Sequence, residues 1–259
     1  MSNEHDHSTI PVDWSRLVAD REWQLYRPVL EQAVQDNLPF AIGGGIAFSL
    51  YSRRWRNTRD IDLFVRPDDR ESFITLLTQH GFEDYFSRES YDRSWIYRGY
   101  QDGAIIDIIW QMANHRAVVD DAWIKGGAAF VADGVSLRLI SPEALIFAKL
   151  YVMQRERCDW PDLLSVLHSQ ADVLDWDHLV RWVGDDLPLL TGLLCVYRWL
   201  CPENARRIPE HIWAQFHLAD LPHQEQPGLT VNKRRIDLLD SRDWFGPNDD
   251  SGTQQEPSC

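Results

Sequence analysis

Asp60-Ile61-Asp62-Leu63-Phe64-Val65 sets two carboxylates at alternate positions against three apolar residues. Successive side chains of a strand point to opposite faces, so this order suits a strand with one apolar face (Ile61, Leu63, Val65) and an acidic one (Asp60, Asp62). The two acids then stand ~6.6 Å apart along the strand. Carboxylates held so close repel one another unless a cation sits beside them. Mg²⁺, a hard cation that takes oxygen ligands and shares them with substrate phosphates, suits such a pair, with Mn²⁺ as a substitute.

Two further features belong with this strand. Ala104-Ile105-Ile106-Asp107-Ile108-Ile109-Trp110 carries a single carboxylate in an apolar run. Burying that charge alone is costly, so Asp107 requires a donor, a cation or a cavity. If its strand lies beside the first, Asp107 joins Asp60 and Asp62 in a three-carboxylate cluster suited to in-line phosphoryl chemistry. It then holds metal, takes a proton from an attacking hydroxyl, or does both. The other feature is Gly43-Gly44-Gly45 after the apolar run Phe40-Ala41-Ile42. A glycine turn between a strand and a helix lets backbone N–H groups approach phosphate at the positive end of the helix dipole. Arg53, Arg54, Arg56 and Arg59 lie between this turn and the aspartates. Taken singly, each element has an ordinary reading: a solvated strand face, a loop, a surface charge run, a structural ion pair. Their occurrence together and in this order favours the functional one.

Two other phosphate sites are excluded. The triglycine lacks the lysine and hydroxyl of a P-loop, and Phe48 stands where a dinucleotide fingerprint needs its third glycine. With 26 Lys+Arg against 40 Asp+Glu the net charge is −14, which argues against non-specific binding to DNA or anionic lipid. The longest apolar run, between Asp186 and Arg198, is interrupted by Pro188 and is too short for a membrane helix. Cys158, Cys195, Cys201 and Cys259 show no C-x-x-C spacing and read as reduced thiols of a cytoplasmic protein. His115, His168 and His178 show no ligand spacing.

Along the chain, residues 1–11 read as a polar leader, in which His5-Asp6-His7 is a terminus rather than a metal site. Residues 12–140 read as an α/β region. A helix is expected over 14–37, strands near 40–42 and 61–65, and helices over 46–51 and 68–80. Hairpins are expected about Gln101-Asp102-Gly103 and Asp133-Gly134. Ser141-Pro142 is a helix start, and residues 141–240 read as mostly helical, with breaks near 158–161, 171–175 and 184–188. No assignment is made within 203–240. Residues 241–259, rich in Gly, Pro, Asp and Gln, read as a flexible tail.

The glycine pair Gly44-Gly45, the pair Asp60 and Asp62, and the later Asp107 together resemble the signature of the nucleotidyltransferase superfamily typified by DNA polymerase beta. Residues 46–59 form a spacer a little longer than is usual there. Gly44-Gly45-Ile46-Ala47 and Thr58-Arg59-Asp60-Ile61-Asp62-Leu63 are similar to the small bacterial branch, which includes type IV toxin and aminoglycoside nucleotidyltransferases. The helix Ser141 to Leu150, with Arg155 and Asp159 to Leu163 after it, is similar to that branch's lysine-bearing helix. The resemblance implies an α+β fold, a mixed-sheet nucleotidyltransferase domain followed by a mostly helical region. It implies a Mg²⁺-dependent enzyme that moves an NMP group from an NTP, ATP included, to a hydroxyl of a small molecule, an RNA such as tRNA, or a protein, releasing pyrophosphate. Asp60, Asp62 and Asp107 would be catalytic and hold metal, and Gly44, Gly45, Arg59 and Lys149 would bind nucleotide. Lys149 also stands out physically, because its helical neighbours Leu145, Ile146, Val152 and Met153 are apolar and its ammonium needs an anion. That anion is either the triphosphate or a structural acid. A non-catalytic nucleotide-binding regulator and a metal-dependent phosphohydrolase are the alternatives on the same residues.

Overall fold

Every second side chain of the Asp60 strand is driven inward: Ile61 and Leu63 are fully buried, while Asp60 and Asp62 are partly exposed. In the computed structural model, which describes residues 12–218 and 233–239, this strand lies near the middle of a mixed five-stranded sheet. The elements are α1 (Asp20–Gln35), β1 (Ala41–Ile42), α2 (Gly44–Ser52), β2 (Asp60–Phe64), α3 (Arg70–Gln79), β3 (Glu83–Asp84), β4 (Ile96–Gln101) and β5 (Ala104–Ile109). Then follow α4 (Asp121–Lys125), β6 (Ala129–Ala132), β7 (Val135–Arg138), α5 (Pro142–Leu150), α6 (Trp160–Gln170), α7 (Trp176–Val183), α8 (Leu187–Leu200), α9 (Pro202–Ala205), α10 (Glu210–Gln215) and α11 (Lys233–Leu239). The fold is α+β, with helices after residue 141, as the sequence implies. The leader with His5 and His7, the tail 241–259 and Cys259 lie outside the described residues.

The sheet order is β1-β2-β5-β4-β3, with β2 and β5 parallel and every other pair antiparallel. The Asp102-Gly103 and Asp133-Gly134 turns both have positive φ at both residues, the conformation that matches the twist of a two-residue hairpin. They fix the β4–β5 and β6–β7 registers.

The helix expected over 14–37 is divided. A 3-10 turn, Trp14–Arg16, comes first, and α1 starts only at Asp20. The cause is the Leu17 carbonyl, which accepts the Thr58 N–H at 3.0 Å and so ties the chain to the entry of β2. From α1, the Tyr26 hydroxyl donates to the Arg59 carbonyl at 3.0 Å and accepts the Ile105 N–H at 3.2 Å. One side chain thus joins the starts of β2 and β5.

Ser141 caps α5 by accepting the Ala144 N–H at 3.0 Å. The helix α4 has no counterpart in the sequence reading. It is too short for periodicity to show, and it rests on the Asp120 cap and the buried Trp123. The later helices lock onto α2: Gln170 Nε2 donates to the Tyr51 carbonyl at 2.9 Å and Ser169 Oγ to that of Ser52 at 3.2 Å. These bonds satisfy carbonyls at the end of α2 that have no helical partner. Among the described residues no helix is long and apolar enough to cross a membrane.

Candidate active site

The glycine turn meets the acidic strand directly. The Gly43 N–H donates to the Asp62 carbonyl at 2.9 Å, which extends the β1–β2 ladder and delivers the start of α2 beside Asp62. Gly44 has φ +53°, and a Cβ built there would lie 1.6 Å from Asp62 Oδ2. Only glycine fits. Gly43, the cap of α2, offers no side-chain acceptor, so the N–H groups of its first turn have no side-chain cap.

Asp60 accepts from Thr58 Oγ1 at 2.6 Å, and the same hydroxyl reaches the Asp60 carbonyl at 3.1 Å. Asp62 lies directly beside Asp107 in the parallel β2–β5 register. Burial, then the charges of Asp60 and Asp107, push the Asp62 carboxyl up to about 8, against the pull of Lys149 and Arg98. Burial likewise raises Asp107, with Arg98 opposing.

Arg98 is the residue sequence reasoning missed. It stands opposite Asp107 in the β4–β5 pair and grips it bidentately, Nε to Oδ1 at 2.8 Å and Nη2 to Oδ2 at 2.7 Å. The Asp107 side chain is 3% exposed and that of Arg98 33%. The structure therefore sets Asp60, Asp62 and Asp107 at neighbouring strand positions, with both Asp107 oxygens bonded to the guanidinium. Among the described residues no three His, Cys, Asp or Glu side chains are grouped to hold a metal ion. The hairpin carried the signal: a turn at Asp102-Gly103 pairs Gln101 with Ala104, and counting back from it pairs Arg98 with Asp107.

The proposed nucleotide ligands fall in different settings. Arg59 is exposed, one residue before β2, and its side chain makes no hydrogen bond or ion pair among the described residues. Lys149 is buried, and its ammonium donates to Asp159 at 2.6 Å and Asp162 at 2.8 Å. Arg157 also grips Asp159, at 2.9 and 3.0 Å, and Arg56 pairs with Asp162 at 3.3 Å. Burial raises Asp159, but Arg157 and Lys149 together hold it below its ordinary value. The network lies close enough to β2 that Lys149 and Arg157 interact electrostatically with Asp62.

Asp60 and Asp62 fit a divalent cation. They share one strand face, burial and then the neighbouring acids Asp60 and Asp107 make the charged form of Asp62 unfavourable without a cation, and the missing side chain of Gly44 lets the Asp62 carboxylate lie against the start of α2. Their oxygens are the donors that Mg²⁺ or Mn²⁺ prefers.

Residues 26–115 match the model of the aminoglycoside-2''-adenylyltransferase family. No curated protein matches the chain. Among solved structures, the antibiotic-resistance factor ANT(2'')-Ia is 20% identical with a TM-score of 0.40, over 69% of this chain and 91% of that one. The lincosamide antibiotic adenylyltransferase LnuA, bound to lincomycin, is 17% identical with a TM-score of 0.41, over 58% and 97%. A nucleotidyltransferase from H. pylori is 15% identical with a TM-score of 0.36, over 86% and 97%. The family match takes in β1, α2, β2 and β5 together, the stretch that holds the glycine turn and all three aspartates.

Proposed function

We propose that the chain transfers a nucleoside monophosphate, AMP first among candidates, from a nucleoside triphosphate to a hydroxyl of a small polar acceptor, with release of pyrophosphate. One observation carries the reading: the packing of Gly44 against the Asp62 carboxylate. It puts the start of a helix, where phosphate binds, against the pair of acids that calls for a cation. The match to an aminoglycoside-2''-adenylyltransferase model supports adenylyl transfer and a small acceptor.

In this reading Gly44 and Gly45 present backbone N–H groups to the triphosphate, and the exposed Arg59 adds charge from the edge of β2. Asp60, held by Thr58, and Asp62 hold Mg²⁺ or Mn²⁺. The bound cation supplies charge stabilisation to the triphosphate oxygens. Asp107 orients the acceptor hydroxyl and takes its proton. A carboxylate has about four lone-pair sites and Arg98 uses two, so acceptor capacity remains. The acceptor oxygen forms a bond to the α-phosphorus, the bond from that phosphorus to the β-phosphate bridging oxygen breaks, and pyrophosphate leaves with the electron pair. Lys149 acts through its field on Asp62 and by fixing the Asp159–Asp162 network beside the cleft. Residues 12–140 carry this chemistry, and the helices of 141–240 close the cleft and select the acceptor.

The test is incubation with α-labelled ATP, Mg²⁺ and a panel of aminoglycosides, lincosamides, tRNA and protein acceptors. Label moves to a small acceptor with the unaltered chain, and transfer falls at least ~100-fold in Asp60→Asn and Asp62→Asn. Undiminished transfer by the double variant would sink the assigned site. Labelled AMP released without an acceptor would instead favour hydrolysis, and tight nucleotide binding without turnover a regulator.

A further inference from the structure

Three carboxylates meet on neighbouring positions of β2 and β5, but only two of them are free for a cation. Arg98 grips the third with two short hydrogen bonds, one to each oxygen, and the pair is fixed from outside. The backbone N–H of Arg98 donates to the Tyr91 hydroxyl at 2.9 Å, and that hydroxyl donates to Asp84 Oδ1 at 3.0 Å. The hairpin turn sets the register, so Arg98 faces Asp107 by construction. Its guanidinium carries a permanent charge, and Asp60 and Asp62 as well as Asp107 contribute to its electrostatic environment. Within this cluster, Asp60 and Asp62 have no cationic side chain bonded to them among the described residues, whereas Asp107 is matched by Arg98.

We infer that Arg98 is a positioning residue standing where a second divalent cation would otherwise bind, so that the chain holds one metal ion, at Asp60 and Asp62, and a fixed guanidinium at Asp107. The inference rests on the metal-dependent reading above and concerns the number of ions that the carboxylates take. A fixed cation on the acceptor side holds the carboxylate in one orientation with no second ion to recruit. Removing Arg98 leaves three clustered carboxylates, which is the composition of a two-ion site.

Counting bound Mn²⁺ by electron paramagnetic resonance, with Mn²⁺ alone added to the purified full chain, tests this without reference to turnover. The unaltered chain binds one ion. Arg98→Met binds two, and Arg98→Lys, which keeps the charge, binds one. The double variant Arg98→Met with Asp107→Asn replaces a neutral pair by a neutral pair, so it binds one ion with affinity within about threefold of the unaltered chain. Two ions in the unaltered chain, or one in folded Arg98→Met, would overturn the inference and leave the metal-dependent reading standing. No bound Mn²⁺ in the unaltered chain would overturn both. Should Arg98→Met fail to fold, the double variant still decides: a tenfold or greater loss of Mn²⁺ affinity makes Asp107 a ligand and overturns the inference.

Discussion

Adding one carbon to Gly44 brings it within 1.6 Å of Asp62 Oδ2, on a backbone already in the left-handed region. Either the turn or the carboxylate must move. Gly44→Ala is therefore expected to lower stability by about 1–3 kcal/mol and to abolish nucleotidyl transfer. Gly103, also at positive φ but with nothing within 4 Å of its added carbon, is the control. Gly103→Ala costs ~1 kcal/mol and leaves transfer unchanged. Urea midpoints at constant slope, together with label transfer, measure both. Asp62 gives a second test at this scale. Burial and two neighbouring acids make its charged form unfavourable in the metal-free chain. Mg²⁺ should thus raise Tm in the unaltered chain, by roughly 2–4 °C for each kcal/mol of binding, and should raise it little in Asp62→Asn. An equal Mg²⁺ shift in the two proteins would place the ion elsewhere.

At the level of elements, the buried network joining α5 to α6 sets the largest expected single-residue effect. Lys149→Met removes the cation shared by Asp159 and Asp162 and leaves Arg157 and Arg56 to hold them. Breaking a buried ion pair from one side costs roughly 3–5 kcal/mol. The two arginines leave the expectation at the lower end, read as a fall in urea midpoint. A loss under ~1 kcal/mol would mean that the arginines suffice. This network also marks where the sequence stopped being legible. Local chemistry gave the Ser141 cap, both Asp-Gly hairpins and the Asp60 strand, because each is decided within a few residues. The Lys149 partners were not readable. Asp159 and Asp162 follow a non-helical stretch after α5, and helical spacing says nothing across it. The Arg98–Asp107 grip lies between these cases. It follows from the hairpin register by counting, yet an arginine in a polar-looking strand gives no sign of its own that it faces the site.

Over the whole molecule, the core runs without interruption from the sheet through Leu139 and Ile140 into Phe147 and Leu150, across the point where the sequence changes character. The chain should therefore unfold in a single calorimetric transition through residue 218, despite the expected boundary at 140. His168 on α6 sits within this unit. Asn204 Nδ2 lies 2.9 Å from its Nδ1, and Arg207 donates to its carbonyl at 3.1 Å. The next two residues, Ser169 and Gln170, bind the end of α2. Burial, then the charges of Arg54 and Arg207, hold the imidazole below its usual value. The sign follows: as pH falls through the ordinary histidine value of about 6.5, the unfolded chain takes the proton first. The stability tied to neutral His168 is complete above that pH and is lost as pH drops below it. His168→Asn should flatten the decline in urea midpoint between pH 6.5 and 5 relative to the unaltered chain, while the two behave in parallel above pH 7. An unchanged slope in the variant would assign the acid sensitivity to other groups. A flattened one would tie the attachment of α6 to α2, and so the seating of the helix that starts at the glycine turn, to the protonation of one side chain far along the chain from Asp60.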